Sequence, residues 1–459
     1  MATSQKIIFA PKHKPELQSL PTYRNIWNLS YPIILSIIAQ NIITVIDTAF
    51  LGRVGEVELG ASAIGGLFYF SLFMLGFGFG TGAQILMARR NGEQRFSQVG
   101  KIFDHTMYFF VLMSVVLILL NYLFSTIFLK YFISSDAIYE SSVIYLNIRM
   151  WGVMFALTNV AFRAYFVGIT KTSLLGYGAA IMAIVNVALD YLLIFGHYGF
   201  PEMGIAGAAI ASVISEGVAS LFFVLATIFD PVNRKYHIFR LPKFDKDIIV
   251  RTWNISVFIM LQNFVSVVGW FLFFLVIEQT GERPLAISNI IRSLYMTLMI
   301  HIWAFSSSVN TLVSNTIGAG ASYLVIPIVR KVNMLSSMIT LVVILISVSF
   351  PEFLIRIYTD DPELIAGAKS VLYVVTGAVL PLALSVNWFS GVSGTARTST
   401  ALLIEVVCIF IYLIYIFLIA FHFRLSLPVI WTAEYVYIVT LGVSSYLYLK
   451  FGKWQNKII

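Results

Sequence analysis

Along this chain, polar residues are punctuation between long apolar runs. Reading the runs in order predicts twelve of them, at 31–52, 61–88, 103–127, 141–167, 174–195, 204–229, 250–277, 285–312, 331–350, 366–390, 400–421 and 428–449. Each is near or above the roughly 20 apolar residues that an α-helix needs to cross a hydrocarbon core. The predicted class is an all-α polytopic membrane protein with twelve transmembrane helices. Composition agrees, with 59% hydrophobic and only 11% charged residues and a mean hydropathy of +0.87.

The net charge of +8 could suggest a nucleic-acid partner, but its distribution points elsewhere. With the N-terminus placed in the cytoplasm, 22 of the 30 Lys and Arg fall on the inner side, among them Lys6, Lys12, Lys14, Arg89, Arg90, Arg163, Arg330, Lys331 and Lys457. The eight others, Arg149 and Arg292 included, fall outside or in the outer parts of spans. This is the positive-inside bias, and it predicts cytoplasmic termini. Residues 1–28 show no cleavable signal peptide, so the first span is expected to serve as an uncleaved anchor. Cys408 is the only cysteine, which excludes an intrachain disulfide or a cysteine metal site. No phosphate-loop motif and no catalytic triad, histidine pair or acid pair stands out, so no enzyme activity is expected.

Sliding the chain by 226 residues superposes one half on the other without a gap. Trp27, Asn28 and Ser30 meet Trp253, Asn254 and Ser256; Gly55 and Glu56 meet Gly281 and Glu282; Tyr69 meets Tyr295, and Gly92 meets Gly318. Gly168, Lys171, Thr172 and Ser173 meet Gly394, Arg397, Thr398 and Ser399. Six spans per copy is an even number, so the two copies insert in the same orientation, as parallel repeats about an axis along the membrane normal. The expected organisation is a cytoplasmic segment 1–28, a six-helix lobe 29–229, a charged linker 230–249, a second lobe 250–449 and a tail 450–459.

Polar residues inside the spans carry the chemistry. Gly76, Gly78, Gly80 and Gly82 form a glycine-rich run, but within an apolar helix, where small residues serve close helix packing. Pro32 near the inner end of the first span predicts a kink that is either harmless or a hinge beside a cavity. Asp47 and Asp190 are the costly features, since a carboxylate in the bilayer costs about 2.5–3.5 kcal/mol on the lenient scales. Both sit about 8 Å below the outer end of their helices. Asn186 lies one turn below Asp190 on the same face, and Ser212 on the sixth span reaches a similar depth. This set could supply hard oxygen ligands to Na⁺, or the two carboxyls could share a proton. At +226 its members become Phe273, Tyr412, Ile416 and Ile438, so the second half is expected to lack it. Glu216 in mid-span is balanced between a site role and a helix-packing hydrogen bond. Gln40 and Gln262 are expected to line a cavity, whereas Glu405 and Glu434, nearer helix ends, are expected to be solvated.

The duplicated plan, with VIDTAFLGRVG at 45–55, NVALD at 186–190 followed by YLLIFG, GIAGAAIAS in the sixth span and NTLVSNTIGAG at 310–320, resembles the multidrug and toxic compound extrusion family over residues 20–450. The resemblance implies two six-helix lobes around a central cavity that alternates between inward- and outward-facing states. It also implies export of amphipathic, often cationic, organic compounds in exchange for Na⁺ or H⁺ across the plasma (bacterial inner) membrane. No cofactor beyond that ion and no nucleic-acid partner is expected, and the chain is expected to act as a monomer. By the same resemblance Asp47, Asn186, Asp190 and Ser212 bind the coupling cation, Pro32 bends the first helix, and Gln40 and Tyr145 face the cavity. Members with a cation site in the C-terminal lobe carry acids in spans seven and ten. Here those places hold Gln262 and a span without Asp or Glu, which points to coupling through the N-terminal lobe. Two rivals remain: a lipid-linked precursor flippase, which would want a strongly cationic cavity, and a non-transporting membrane receptor or scaffold.

Overall fold

The computed structural model describes residues 20–455; Lys6, Lys12, Lys14 and Lys457 of the charge count lie outside them. Among the described residues there are helices and no strands. The first half contains α1 (Tyr23–Val54), α2 (Glu56–Gly92), α3 (Phe96–Phe132), α4 (Asp136–Arg149), α5 (Val153–Gly168), α6 (Ser173–Phe195) and α7 (Gly204–Phe229). The second contains α8 (Lys246–Glu278), α9 (Glu282–Leu298), α10 (Ile300–Gly318), α11 (Val325–Ser349), the short α12 (Pro351–Arg356), α13 (Pro362–Gly394), α14 (Thr398–Phe417), the short α15 (Leu427–Ile430) and α16 (Ala433–Phe451). Eleven helices are long and apolar enough to cross a membrane, and α9 with α10 supplies a twelfth span bent by 45°.

Each predicted run overlaps one of these spans. Further irregularities interrupt the spans. α1 remains helical through Pro32, where a freed carbonyl is the normal consequence of proline. The sharp break comes instead in the eighth span at Met299. A 3-10 turn, Met150–Gly152, interrupts the fourth, and a π-helical turn, Leu418–His422, ends the eleventh.

The halves meet at the end that carries the termini, and the meeting obeys the 226-residue offset. Ser30 Oγ lies 2.8 Å from Ser308 Oγ. Their partners by offset are Ser256, which donates to the Phe79 carbonyl at 3.0 Å, and Gly82, whose missing Cβ leaves room for the Ser256 side chain. A Cβ on Gly92 would fall 2.9 Å from the Asn315 Cα, and one on its counterpart Gly318 would fall 3.1 Å from the Arg89 carbonyl carbon. Equivalent positions therefore face each other across a pseudo-twofold axis. The glycine run does what small residues do in lipid: Gly76 and Gly80 admit Leu157 and Val160 of α5, while Gly78 and Gly82 admit Met260 and Ser256 of α8. Gln84 donates to Thr311 at 2.9 Å, Ser314 to the Ile85 carbonyl at 2.7 Å, and Asn91 to Asn315 at 2.7 Å. Among the described residues no hydrogen bond joins the halves near the other end, where α1 and α8 terminate. The hydrogen bonds between the halves are therefore gathered at the end where α1 begins and α10 finishes.

Candidate functional site in the first half

α1 carries a polar stripe through its C-terminal half: Gln40, Asn41, Thr44, Asp47 and Thr48. Hydroxyls and amides tie most of it to the helix itself, with Thr44 donating to the Gln40 carbonyl at 3.1 Å and Thr48 to that of Thr44 at 2.7 Å. These i to i−4 bonds satisfy polar side chains locally and leave Asp47 and the exposed Gln40 free to face other elements. α6 packs closely along α1, and opposite Pro32 it presents Gly176, whose Cβ position lies 3.8 Å from the proline. That packing brings Asn186 and Asp190, both 0% exposed, against Asp47.

Asn186 bridges the acids. With its amide nitrogen toward them, as two acceptors require, it donates to Asp47 Oδ1 at 3.1 Å and to Asp190 Oδ2 at 3.2 Å. The two carboxyls also lie within hydrogen-bonding reach of each other, while Asp190 Oδ1 is buried without a partner. Two like charges in such contact repel strongly at low dielectric, so the pair is unfavourable as two bare carboxylates. Ser212 is buried on α7, but its hydroxyl makes no hydrogen bond to this trio; its carbonyl accepts one from Ser215 at 2.9 Å. The structure brings Asp47, Asn186 and Asp190 together and leaves Ser212 beside them.

Glu216 has a partner that its own stretch of sequence did not reveal. Arg149, assigned from sequence to an outer segment, is buried and grips Glu216 with two nitrogens, at 2.6 and 2.9 Å. Such a fork fits a carboxylate bidentately. Gly152 in the 3-10 turn makes room, since a Cβ there would come within 2.8 Å of Glu216 Oε2. The guanidinium also lies 3.8 Å over the ring of Tyr69. Tyr145, one turn before Arg149 on α4, lies close enough to both Arg149 and Asp47 to feel their charges. The nearest available signal was the i, i+4 spacing of Tyr145 with Arg149 and of Ser212 with Glu216.

The second half departs from expectation at Glu405 and Glu434. Both were expected to be solvated; they are 1% and 4% exposed. Each sits near an end of the apolar run, but the helices packed around it cover it. Tyr295 and Tyr412 donate to the two oxygens of Glu434, at 3.1 Å each. Ser266 donates to Glu405 at 2.6 Å, and Tyr437 at 3.0 Å. Gln262 sits one turn from Ser266 with its Oε1 buried and unpartnered. His301 contacts the Thr340 hydroxyl at 2.8 Å, and Arg292 lies 5.1 Å over Phe274.

Two lobes related by an axis along the membrane normal, sealed at one end and holding buried acids, define an integral multi-pass membrane protein of duplicated architecture. The MatE family model matches residues 32–192 and 259–418, once in each half, and the chain belongs to this family. A probable multidrug resistance protein NorM of Thermotoga maritima is 25% identical over 98% of this chain and 96% of its own length. The probable multidrug resistance protein YoeA of Bacillus subtilis is 21% identical over 83% and 82%. Among solved structures, the outward-facing conformation of a multidrug resistance MATE family transporter of the MOP superfamily superposes with a TM-score of 0.86, at 15% identity over 93% of this chain and 94% of that one. A MOP superfamily transporter from Pyrococcus furiosus superposes at 0.84, with 16% identity over 94% of both chains. At these identities the likeness to the solved structures is one of fold.

Proposed function

We propose that this protein is a secondary active antiporter of the plasma membrane that exports amphipathic organic compounds in exchange for a cation. The multidrug resistance proteins among its relatives support the export of organic compounds. The carrying observation is the contact among Asp47, Asn186 and Asp190 across two helices. The positive-inside distribution supports a cytoplasmic location for the sealed end, and on that reading the acidic trio lies toward the outside in an outward-facing state. A cation from outside binds between the carboxyls, and its binding shifts the balance of states only through a difference in affinity between them. α1 supplies both Asp47 and part of the inner seal through Ser30, so an event at the trio has a rigid element along which to act.

The geometry favours H⁺ over Na⁺ in this state. The carboxyls are close enough to share a proton, and the amide of Asn186 turns donors toward them. A sodium ion would want more oxygen ligands, and the Ser212 hydroxyl is not among the trio's partners. Proteoliposomes with an imposed H⁺ or Na⁺ gradient, tested separately, decide this. Substrate export should follow the proton gradient and collapse in Asp47→Asn and Asp190→Asn. Export against a gradient by normally inserted forms of those variants would defeat the reading.

A further inference from the structure

We propose that the second half holds its own proton-binding site, Glu434 between Tyr295 and Tyr412, with Glu405 as a second protonated carboxyl behind it. The first ground is position. By the 226-residue offset Tyr295 is the counterpart of Tyr69, Tyr412 of Asn186 and Phe273 of Asp47. Phe273 packs on Tyr412 and Trp431, with ring centroids 5.9 and 4.9 Å apart. The place that holds the acidic trio in one lobe therefore holds a carboxyl–tyrosine cluster in the other. The acid arrives from α16 where the first lobe uses α1 and α6, so aligning the halves hides it: the counterpart of Glu434 is Ala208.

The second ground is charge. Facing Glu434 are Tyr295 from α9, Tyr412 from α14 and, on its own helix, Tyr437, while the neighbouring Tyr435 turns its hydroxyl to the Val374 carbonyl on α13. Facing Glu405 are Ser266 from α8, Tyr437 from α16 and Cys408 on its own helix. Among the described residues no Lys, Arg or His forms an ion pair or hydrogen bond with either carboxyl, whose partners are all hydroxyls. Glu216 in the first lobe is neutralised by Arg149; these two have only hydroxyl donors. An unpaired ion at that depth is too costly to persist, and the group takes up a proton instead. Tyrosine hydroxyls suit both states, since they donate to a carboxylate and accept from a carboxylic acid.

The third ground is the helix that links the two groups. Glu405 and Tyr412 are two turns apart on α14, about 10 Å along the membrane normal. Tyr412 and Tyr437, which hold Glu434 and Glu405 respectively, have ring centroids 6.0 Å apart. Protonation at either carboxyl alters a hydroxyl packed against the other's partner. The proton is taken from water on the open side and returned to water when the lobe changes state. That transport consequence rests on the antiport reading; protonation of Glu434 does not.

The test uses the full-length protein in lipid nanodiscs and proteoliposomes. Infrared absorption of buried protonated carboxyls is followed against pH alongside proton-driven export. At neutral pH the wild type should show a protonated-carboxyl band that Glu434→Gln diminishes. Glu434→Gln should also flatten the pH dependence of export. Tyr295→Phe with Tyr412→Phe, which keeps the carboxyl, should shift the same band to higher frequency, and this holds the proposal to account if the glutamine variant fails to insert. The Asp47→Asn protein should retain the Glu434 band, separating this site from the trio. A band unchanged in Glu434→Gln would overturn the proton-binding site, and a band lost with the pH profile of export intact would overturn its part in transport.

Discussion

The two halves of this molecule share a scaffold and solve the same electrostatic problem differently. In the first, Asp47 and Asp190 are held together by Asn186, and Glu216 is neutralised by Arg149 through a two-pronged ion pair. In the second, Glu405 and Glu434 have no basic partner and are surrounded by serine and tyrosine hydroxyls. Duplication preserved the helix packing and the glycine contacts across the seal, while the acids moved to different helices. The comparison teaches that a buried charge is tied to a place in the lobe and not to an aligned position. Tyr69 and Tyr295 mark that place in both halves, once beneath an arginine and once beside a glutamate.

The sharpest way to break this contrast is to remove the arginine. Arg149→Met leaves Glu216 buried without its partner and should destabilise the first half by about 3–5 kcal/mol, whereas Arg149→Met with Glu216→Met should recover most of that loss. Thermal unfolding of the purified proteins reads this. A double variant as unstable as the single would mean that the pair holds more than its own charge.

The seal offers the next largest effect. Gly92→Ala pushes a methyl group onto the Asn315 backbone, an overpacking that costs about 1–3 kcal/mol. Because it acts across the axis, it should open the terminal end, which thiol labelling of a Ser30→Cys protein from that side would report. Gly318→Ala should do the same from the other half. Unequal responses would show that the symmetry of the seal is one of backbone position only. Smallest of all, Ser30→Ala removes one hydrogen bond to Ser308 and should cost about 1 kcal/mol, visible as a small fall in the thermal unfolding temperature of the purified protein.

Much of this was legible in the sequence, for identifiable reasons. Hydrophobic runs located the spans because lipid imposes their length, and the constant offset exposed the duplication. Asp47, Asn186 and Asp190 could be grouped because depth follows from helical rise and each half inserts in one direction. The role of Arg149 was missed because a basic residue in the outer part of a span reads as topology, and only the packing of α4 on α7 reveals its partner. Glu405 and Glu434 were misread for a related reason: closeness to the end of a run does not imply water when neighbouring helices cover the site. The eighth span gave no warning of its break, since it bends by 45° at Met299 without a proline.

The central claim is that both halves carry the driving cation, the first at its aspartates and the second at Glu434. The direct measurement is the reversal potential of export in proteoliposomes, which gives the number of protons exchanged per substrate. The wild type should exchange more than one. Glu434→Gln should lower the number, and Asp47→Asn should abolish coupled export. A ratio unchanged by substitution at Glu434, or coupled export that persists unaltered in Asp47→Asn, would contradict the account.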